Sequence, residues 1–280
     1  MAQPPERQLA TFGAARDAAR DDARDSARDP RLGPVGVICA MPDELAAIAA
    51  PLREARADHF GPLPVRYGRL AGVPVILALA GIGKVDAAMA ATLLASAGAR
   101  SLVAAGVASA VNPAVGIGDI VVATRLVQHD FGLATDEGIT VYAAGQLPIP
   151  SISPASEPRM DDALEQELRT ALSVLVLDPV SVRLDQPPRR PGIHFGTIAT
   201  GDVFVNGHGV RNRIADLGAL AVDMEGAAVA RVAHLFGITC VVLRAVSGLA
   251  GRESALDLAT FLPAAARSVA RVAEIAIPRL

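Results

Sequence analysis

The sequence predicts an α/β fold around a largely parallel or mixed β-sheet that helices cover on both faces. Three observations predict it. From Val35 onward, short apolar runs alternate with alanine-rich stretches of helical pattern. Two of those runs, VGVICA at 35–40 and ITCVVL at 238–243, are almost unbroken, as strands buried on both faces are. The chain has 280 residues, 51% hydrophobic and 20% charged, which suits one globular domain and argues against disorder over most of its length.

Residues 1–33 stand apart. An Arg-Asp pair recurs every four residues from Arg16 to Asp29, with i to i+3 charge spacing but no apolar face. That reads as a charged tail, disordered or weakly helical and dispensable, which Pro30, Gly33 and Pro34 then break. The domain proper is expected to span residues 34–280.

The elements follow in order. VGVICA (35–40) reads as a buried strand, and Met41-Pro42-Asp43-Glu44 as a helix start, with proline in the first turn and acids that complement the helix dipole. VRYGRL (65–70) and VPVILALA (73–80) flank Ala71-Gly72 as a hairpin. A helix is expected over 84–97, strands over 101–106 and 119–128, and a helix near 160–175 after a Pro/Ser-rich connection. Then come a strand at 192–202, a helix at 207–216, a short strand at 220–223 and a helix at 225–236. A buried strand at 238–246 and a last helix at 256–276 complete the chain.

Composition narrows the function. A net charge of −3 with only 7 Phe and 2 Tyr argues against a general nucleic-acid surface. No apolar run approaches the roughly 18 residues that span a bilayer, and the N-terminus lacks the apolar stretch of a secretory signal. Cys39 and Cys240 lie inside apolar runs and read as buried free thiols. The expected compartment is the cytoplasm.

In such sheets ligands sit beyond the carboxyl ends of strands, so the loops there carry the chemistry. Gly81-Ile82-Gly83-Lys84 lacks the glycine and Ser/Thr of a Walker motif and the third glycine of a dinucleotide fingerprint. It reads as a tight turn rather than a phosphate cradle. Phe204, on the loop Gly201-Asp202-Val203-Phe204-Val205-Asn206-Gly207, could stack on a flat heterocycle or simply fill a core. Asp202 could cap a turn or meet a ligand. Asp223 and Glu225 bracket a short-strand end and helix start, as dipole-complementing acids or as a grip on a sugar's hydroxyls. Arg244, inside an apolar strand, needs a carboxylate or an anionic ligand.

Taken in order, VGVICAMPDEL, AGIGKVDAAMAATLLAS, GIGDIVVA, IATGDVFVNG, AVDMEGAAVARVA and VVLRAVSGLAG resemble the 5′-methylthioadenosine/S-adenosylhomocysteine nucleosidases of the nucleoside phosphorylase superfamily. The resemblance spans residues 35–280. It implies a three-layer α/β sandwich around a central mixed sheet, usually a homodimer, with no metal or organic cofactor. The implied partner is a purine nucleoside, with neither nucleic acid nor membrane involved.

The implied reaction is hydrolysis of the bond between a purine and C1′ of a thio-substituted ribose. A carboxylate must deprotonate water, and an acid must protonate the departing purine. By motif position the resemblance makes Glu44 the water-activating carboxylate, with Arg244 beside it. It sets Met224 and Glu225 against the ribose, Phe204 on the purine face, the Val205 backbone on the purine edge and Leu258 against the 5′ substituent.

The sequence also departs from its relatives' pattern. Where they carry the aspartate that protonates the purine, Gly248 stands, and Gly251 replaces a second acid of the same loop. Val107 and Ser109 differ in the small-residue loop expected after 101–106. Glu253 and Asp257 are alternative acids nearby. On sequence alone, Gly248→Asp is expected to raise hydrolysis. The rival readings are a phosphate-dependent phosphorylase, which would need a basic phosphate site, and a non-catalytic nucleoside-binding protein.

Overall fold

The computed structural model describes residues 33–136, 138–143, 158–182, 187–251 and 254–280. The Arg-Asp tail, most of the Pro/Ser-rich connection and Glu253 therefore lie outside the described residues. The fold is a three-layer α/β sandwich with a nine-stranded central mixed sheet.

β1 (Val35–Cys39) is buried along its whole length and lies parallel to β4 (Val73–Leu79) on one side and β5 (Ser101–Ala110) on the other. β3 (Leu63–Leu70) pairs antiparallel with β4 through the expected hairpin. Its two turn residues, Ala71 at φ 49° and Gly72 at φ 84°, hold the left-handed backbone that matches strand twist in a two-residue loop. β2 (Arg53–Phe60) forms the edge beyond β3, and no apolar pattern announces it. Seven of its eight residues are exposed, because an edge strand needs only one hydrogen-bonded neighbour and its charges discourage further pairing.

On the other side of β5 runs β11 (Thr239–Leu249), parallel to it, followed by β6 (Ile120–Gln128), β9 (Ile193–Thr200) and β10 (Ala219–Asp223). The far end of β5 also pairs antiparallel with β10, Ser109 with Val222 and Ala110 with Ala221. These five strands thus close on themselves. A separate small hairpin joins β7 (Gly132–Thr135) and β8 (Gly138–Val141), which the sequence did not announce.

β5 and β11 each run further than the apolar pattern suggests. Residues 107–110 are strand, not loop, because Ala245–Leu249 and β10 supply their ladder partners. The register shifts between Val246 and Gly248, leaving Ser247 as the extra residue of a bulge.

Two apolar layers sandwich the sheet. On one face α2 (Lys84–Ser96) contributes Ala87, Ala90, Ala91 and Leu94, beside Ala227, Val229 and Ala233 of α5 (Gly226–Phe236). On the other lie Leu45 and Ile48 of α1 (Pro42–Ala49), Leu168 and Leu172 of α3 (Asp162–Leu172), and the alanine–valine face of α6 (Ser254–Ala276). Small alanines let the helices approach the sheet closely, so most stabilisation comes from removing this apolar area from water. α4 (His208–Ala215) caps a third, smaller cluster around Ile214, Val205 and Val222. Among the described residues no helix is long and apolar enough to cross a membrane.

Candidate active site

The carboxyl ends of β1 and β5 meet at a cleft open to solvent. Its base is Glu44. Met41 has extended backbone at the helix N-cap and Pro42 opens the first turn, which turns the third helical residue, Glu44, back toward the strand end. Glu44 Oε2 accepts from the amides of Met41 at 2.9 Å and Ala40 at 3.0 Å. Its Oε1 accepts from the Val107 amide at 2.8 Å, which ties α1 to β5. The expected helix-start role and the expected site position therefore belong to one side chain. Glu44 is 1% exposed, and burial raises its pKa above the ordinary carboxylate value despite the Arg244 charge and three backbone donors.

Behind Glu44 lies a buried charge cluster. Arg244 Nε donates to Asp223 Oδ2 at 2.7 Å, and its second terminal nitrogen donates to Glu225 Oε2 at 3.2 Å. Asp223 also accepts from the Thr200 hydroxyl at 2.5 Å and the Gly226 amide at 3.0 Å. Glu225 Oε1 takes the Gly83 amide at 2.9 Å. Burial works against the guanidinium, yet Asp223, Glu225 and Glu44 together hold its pKa above the ordinary value. Burial drives Glu225 the other way for an acid, up to about 7, although Arg244 opposes it. Such a cluster holds only because each member is paired.

Gly106 makes the arrangement possible. It is the residue of β5 in register with Arg244, and a Cβ there would stand 2.4 Å from Arg244 Nη1 and 2.5 Å from Glu44 Oε1. The guanidinium and the catalytic candidate pack over a backbone that has no side chain.

The glycine-rich loop is the tight turn expected of it. Gly81 at φ 101° and Gly83 at φ 105° carry the chain into α2. Lys84 Nζ is tied to Asp130 at 2.7 Å and Asp202 at 3.7 Å, while Asp202 Oδ1 accepts the Lys84 amide at 2.7 Å. Asp202 thus caps a helix, but one distant in sequence.

Phe204, Val205, Met224, Glu225 and Leu258 line the same cleft as Glu44. Phe204 is 46% exposed and Val205 is buried. Arg244 does not line it. The guanidinium is 1% exposed and is paired with Asp223 and Glu225, with Glu44 also close enough to interact with its charge.

Gly248 is not a vacant slot. A Cβ there would fall 2.7 Å from Asp257 Cβ and 3.2 Å from Asp257 Oδ2, too close for an unmoved backbone. Gly248 does not carry positive φ, so space and not strain excludes a side chain. An aspartate at 248 would therefore have to displace Asp257.

The Phosphorylase superfamily matches residues 34–278. The chain belongs to it. Within the superfamily it is 41% identical over 240 residues to the 5′-methylthioadenosine/S-adenosylhomocysteine nucleosidases of Mycobacterium bovis and Mycobacterium tuberculosis, covering 85% of this chain and 94% of each relative. Among solved structures it resembles the corresponding nucleosidase of S. pneumoniae with a transition-state inhibitor, MT-ImmA. That match has 31% identity and a TM-score of 0.71 over 87% of this chain and 98% of that one. It also resembles the Neisseria meningitidis nucleosidase in complex with methylthio-immucillin-A, at 27% identity and TM-score 0.73 over 89% and 100%.

Sequence reasoning passed over two contributors to the site. Gly106 was legible as a lone glycine inside an apolar strand, a signal of close approach. The Gly83 amide left none, because its partner Glu225 is 142 residues away.

Proposed function

We propose that this superfamily member is an N-glycosidase that hydrolyses the base–ribose bond of a purine nucleoside such as 5′-methylthioadenosine or S-adenosylhomocysteine. The observation that carries the reading is Glu44. Three backbone donors fix its carboxylate in the cleft, and burial raises its pKa above the ordinary carboxylate value, as suits a general base. In the bound complex Glu44 takes the proton from water as the oxygen bonds to C1′. Glu225 and Met224 hold the ribose, with Glu225 accepting from its hydroxyls. Phe204 stacks on the base, the Val205 backbone reads its edge and Leu258 packs against the 5′ group. Arg244 holds Glu225 and Asp223 in place.

The phosphorylase reading has little support, since Lys84 and Arg244 are both neutralised by carboxylates. The exposed Ile82 and Val203, which line the cleft, and the exposed Val85 and Met89 of α2 support a homodimer that covers them. The free thiols Cys39 and Cys240 fit a cytoplasmic protein, and burial keeps both pKa values high and the thiols inert.

The test is release of free base from a nucleoside panel with and without phosphate. Phosphate-independent release of adenine supports the proposal. Phosphate-dependent release would make the protein a phosphorylase, and tight binding without release would make it a binding protein.

A further inference from the structure

We propose that Asp257 donates the proton to the departing purine, taking over from a different element the place left without a side chain at Gly248. This rests on the nucleosidase reading above. Asp257 lies in the first turn of α6, and Gly248 lies on β11 just past the bulge. The direction in which a side chain at 248 would leave the backbone runs into Asp257. Its Cβ is 2.7 Å and its Oδ2 3.2 Å from where that Cβ would be. A carboxylate therefore stands within one side-chain length of where an acid at 248 would have put one.

The carboxylate is also oriented. The Leu249 amide donates to Asp257 Oδ2 at 3.3 Å, which docks α6 onto the strand. Ser247, before Gly248, and Leu258, after Asp257, both line the cleft, so the acid lies directly beside its wall. The glycine and the aspartate form one complementary pair: the strand gives up its side chain and the helix fills the volume with an acid.

The step balances. A proton passes from the Asp257 carboxyl to a purine ring nitrogen as the C1′–N bond breaks and the electron pair leaves with the base. Glu44 gains a proton from the water whose oxygen bonds to C1′. One proton leaves Asp257 and one arrives at Glu44, and exchange with solvent resets both.

An acid in the first turn also complements the helix dipole, so stability alone cannot decide its role. The deciding quantity is a ratio of two rates measured on the same preparation, which does not depend on the folded fraction. Adenine release from 5′-methylthioadenosine is compared with nitrophenolate release from p-nitrophenyl β-D-ribofuranoside, whose leaving group departs as a stable anion. Asp257→Asn should lower the adenine-to-nitrophenolate ratio by about 10²–10⁴-fold, the worth of a positioned general acid. Glu44→Gln should lower both rates. The double variant Gly248→Asp/Asp257→Gly, which moves the carboxylate to the strand and removes the Asp257 Cβ that stands 2.7 Å from the new side chain, should restore the parental ratio. If Asp257→Asn fails to fold, the double variant decides alone: a parental ratio supports the assignment and a collapsed one overturns it. An unchanged ratio in Asp257→Asn overturns it and leaves the nucleosidase reading standing. So does a parent that releases nitrophenolate but no adenine. A parent that releases neither removes the nucleosidase reading itself.

Discussion

Arg244 Nε and Asp223 Oδ2 lie 2.7 Å apart, with both side chains almost wholly withdrawn from solvent. Neither charge has water to fall back on, so each is tolerable only because of the other. The two elements they join, β10 and β11, are not neighbours in the sheet, since β9 and β6 lie between them. The pair bridges the interior of the closed ring of strands.

Arg244→Met should therefore be severely destabilising. It leaves Asp223 and Glu225 buried without their cation, which typically costs about 3–5 kcal/mol. At roughly 2–4 °C per kcal/mol for a domain of this size, the Tm should fall by about 6–20 °C. A Tm within a degree or two of the parent would show that water reaches the cluster.

Glu44→Gln should abolish hydrolysis while nucleoside affinity stays within about an order of magnitude, because the amide keeps size and polarity but cannot take a proton. It should also lower the Tm. Both Glu44 oxygens accept backbone N–H groups, and the amide has only one acceptor, so at least one buried donor loses its partner at about 1–3 kcal/mol. Turnover per folded molecule is the measurement. Parental turnover would remove Glu44 from the mechanism.

Gly106→Ala adds one methyl group where two polar atoms already stand, 2.4 Å and 2.5 Å from the new Cβ. Overpacking of this kind costs about 1–3 kcal/mol. Activity should drop more than the Tm alone would imply, because Glu44 Oε1 is one of the atoms displaced. Retention of full activity would show that the guanidinium and carboxylate can separate without loss.

Glu225 sets a pH dependence of stability opposite to that of an ordinary salt-bridged acid. Its pKa rises to about 7 in the folded state, against about 4.3 in an unfolded chain. Between those values the folded state holds the proton more tightly, so this group's contribution to stability falls as pH rises through the window and is level above it. The Tm difference between the parent and Glu225→Gln should therefore shift against the parent from pH 5 to about 7 and then stay constant. A shift in the parent's favour would mean that pairing with Arg244 outweighs burial.

Much of the fold was determined by the sequence alone. The continuous apolar run of β1, the Met41-Pro42-Asp43-Glu44 helix start and the Ala71-Gly72 turn are local signals, and local physics decides them. The ordered motifs likewise determined which loops to search, and Glu44, Phe204, Val205, Met224, Glu225 and Leu258 do share one cleft. What only the tertiary structure decided depends on partners remote in sequence. The polar edge strand β2 exists because β3 offers it a ladder. The last residues of β5 and β11 are strand because each, with β10, supplies the other's hydrogen bonds. Arg244 turned out to be a buried clamp, since only the packed interior shows which carboxylates surround it. Gly248 is the clearest case. Its letter says only that no side chain is present, whereas the packing of α6 against β11 brings Asp257 against the space where one would stand. A residue's type is fixed by sequence, but the space its side chain would occupy is set by whatever packs against it.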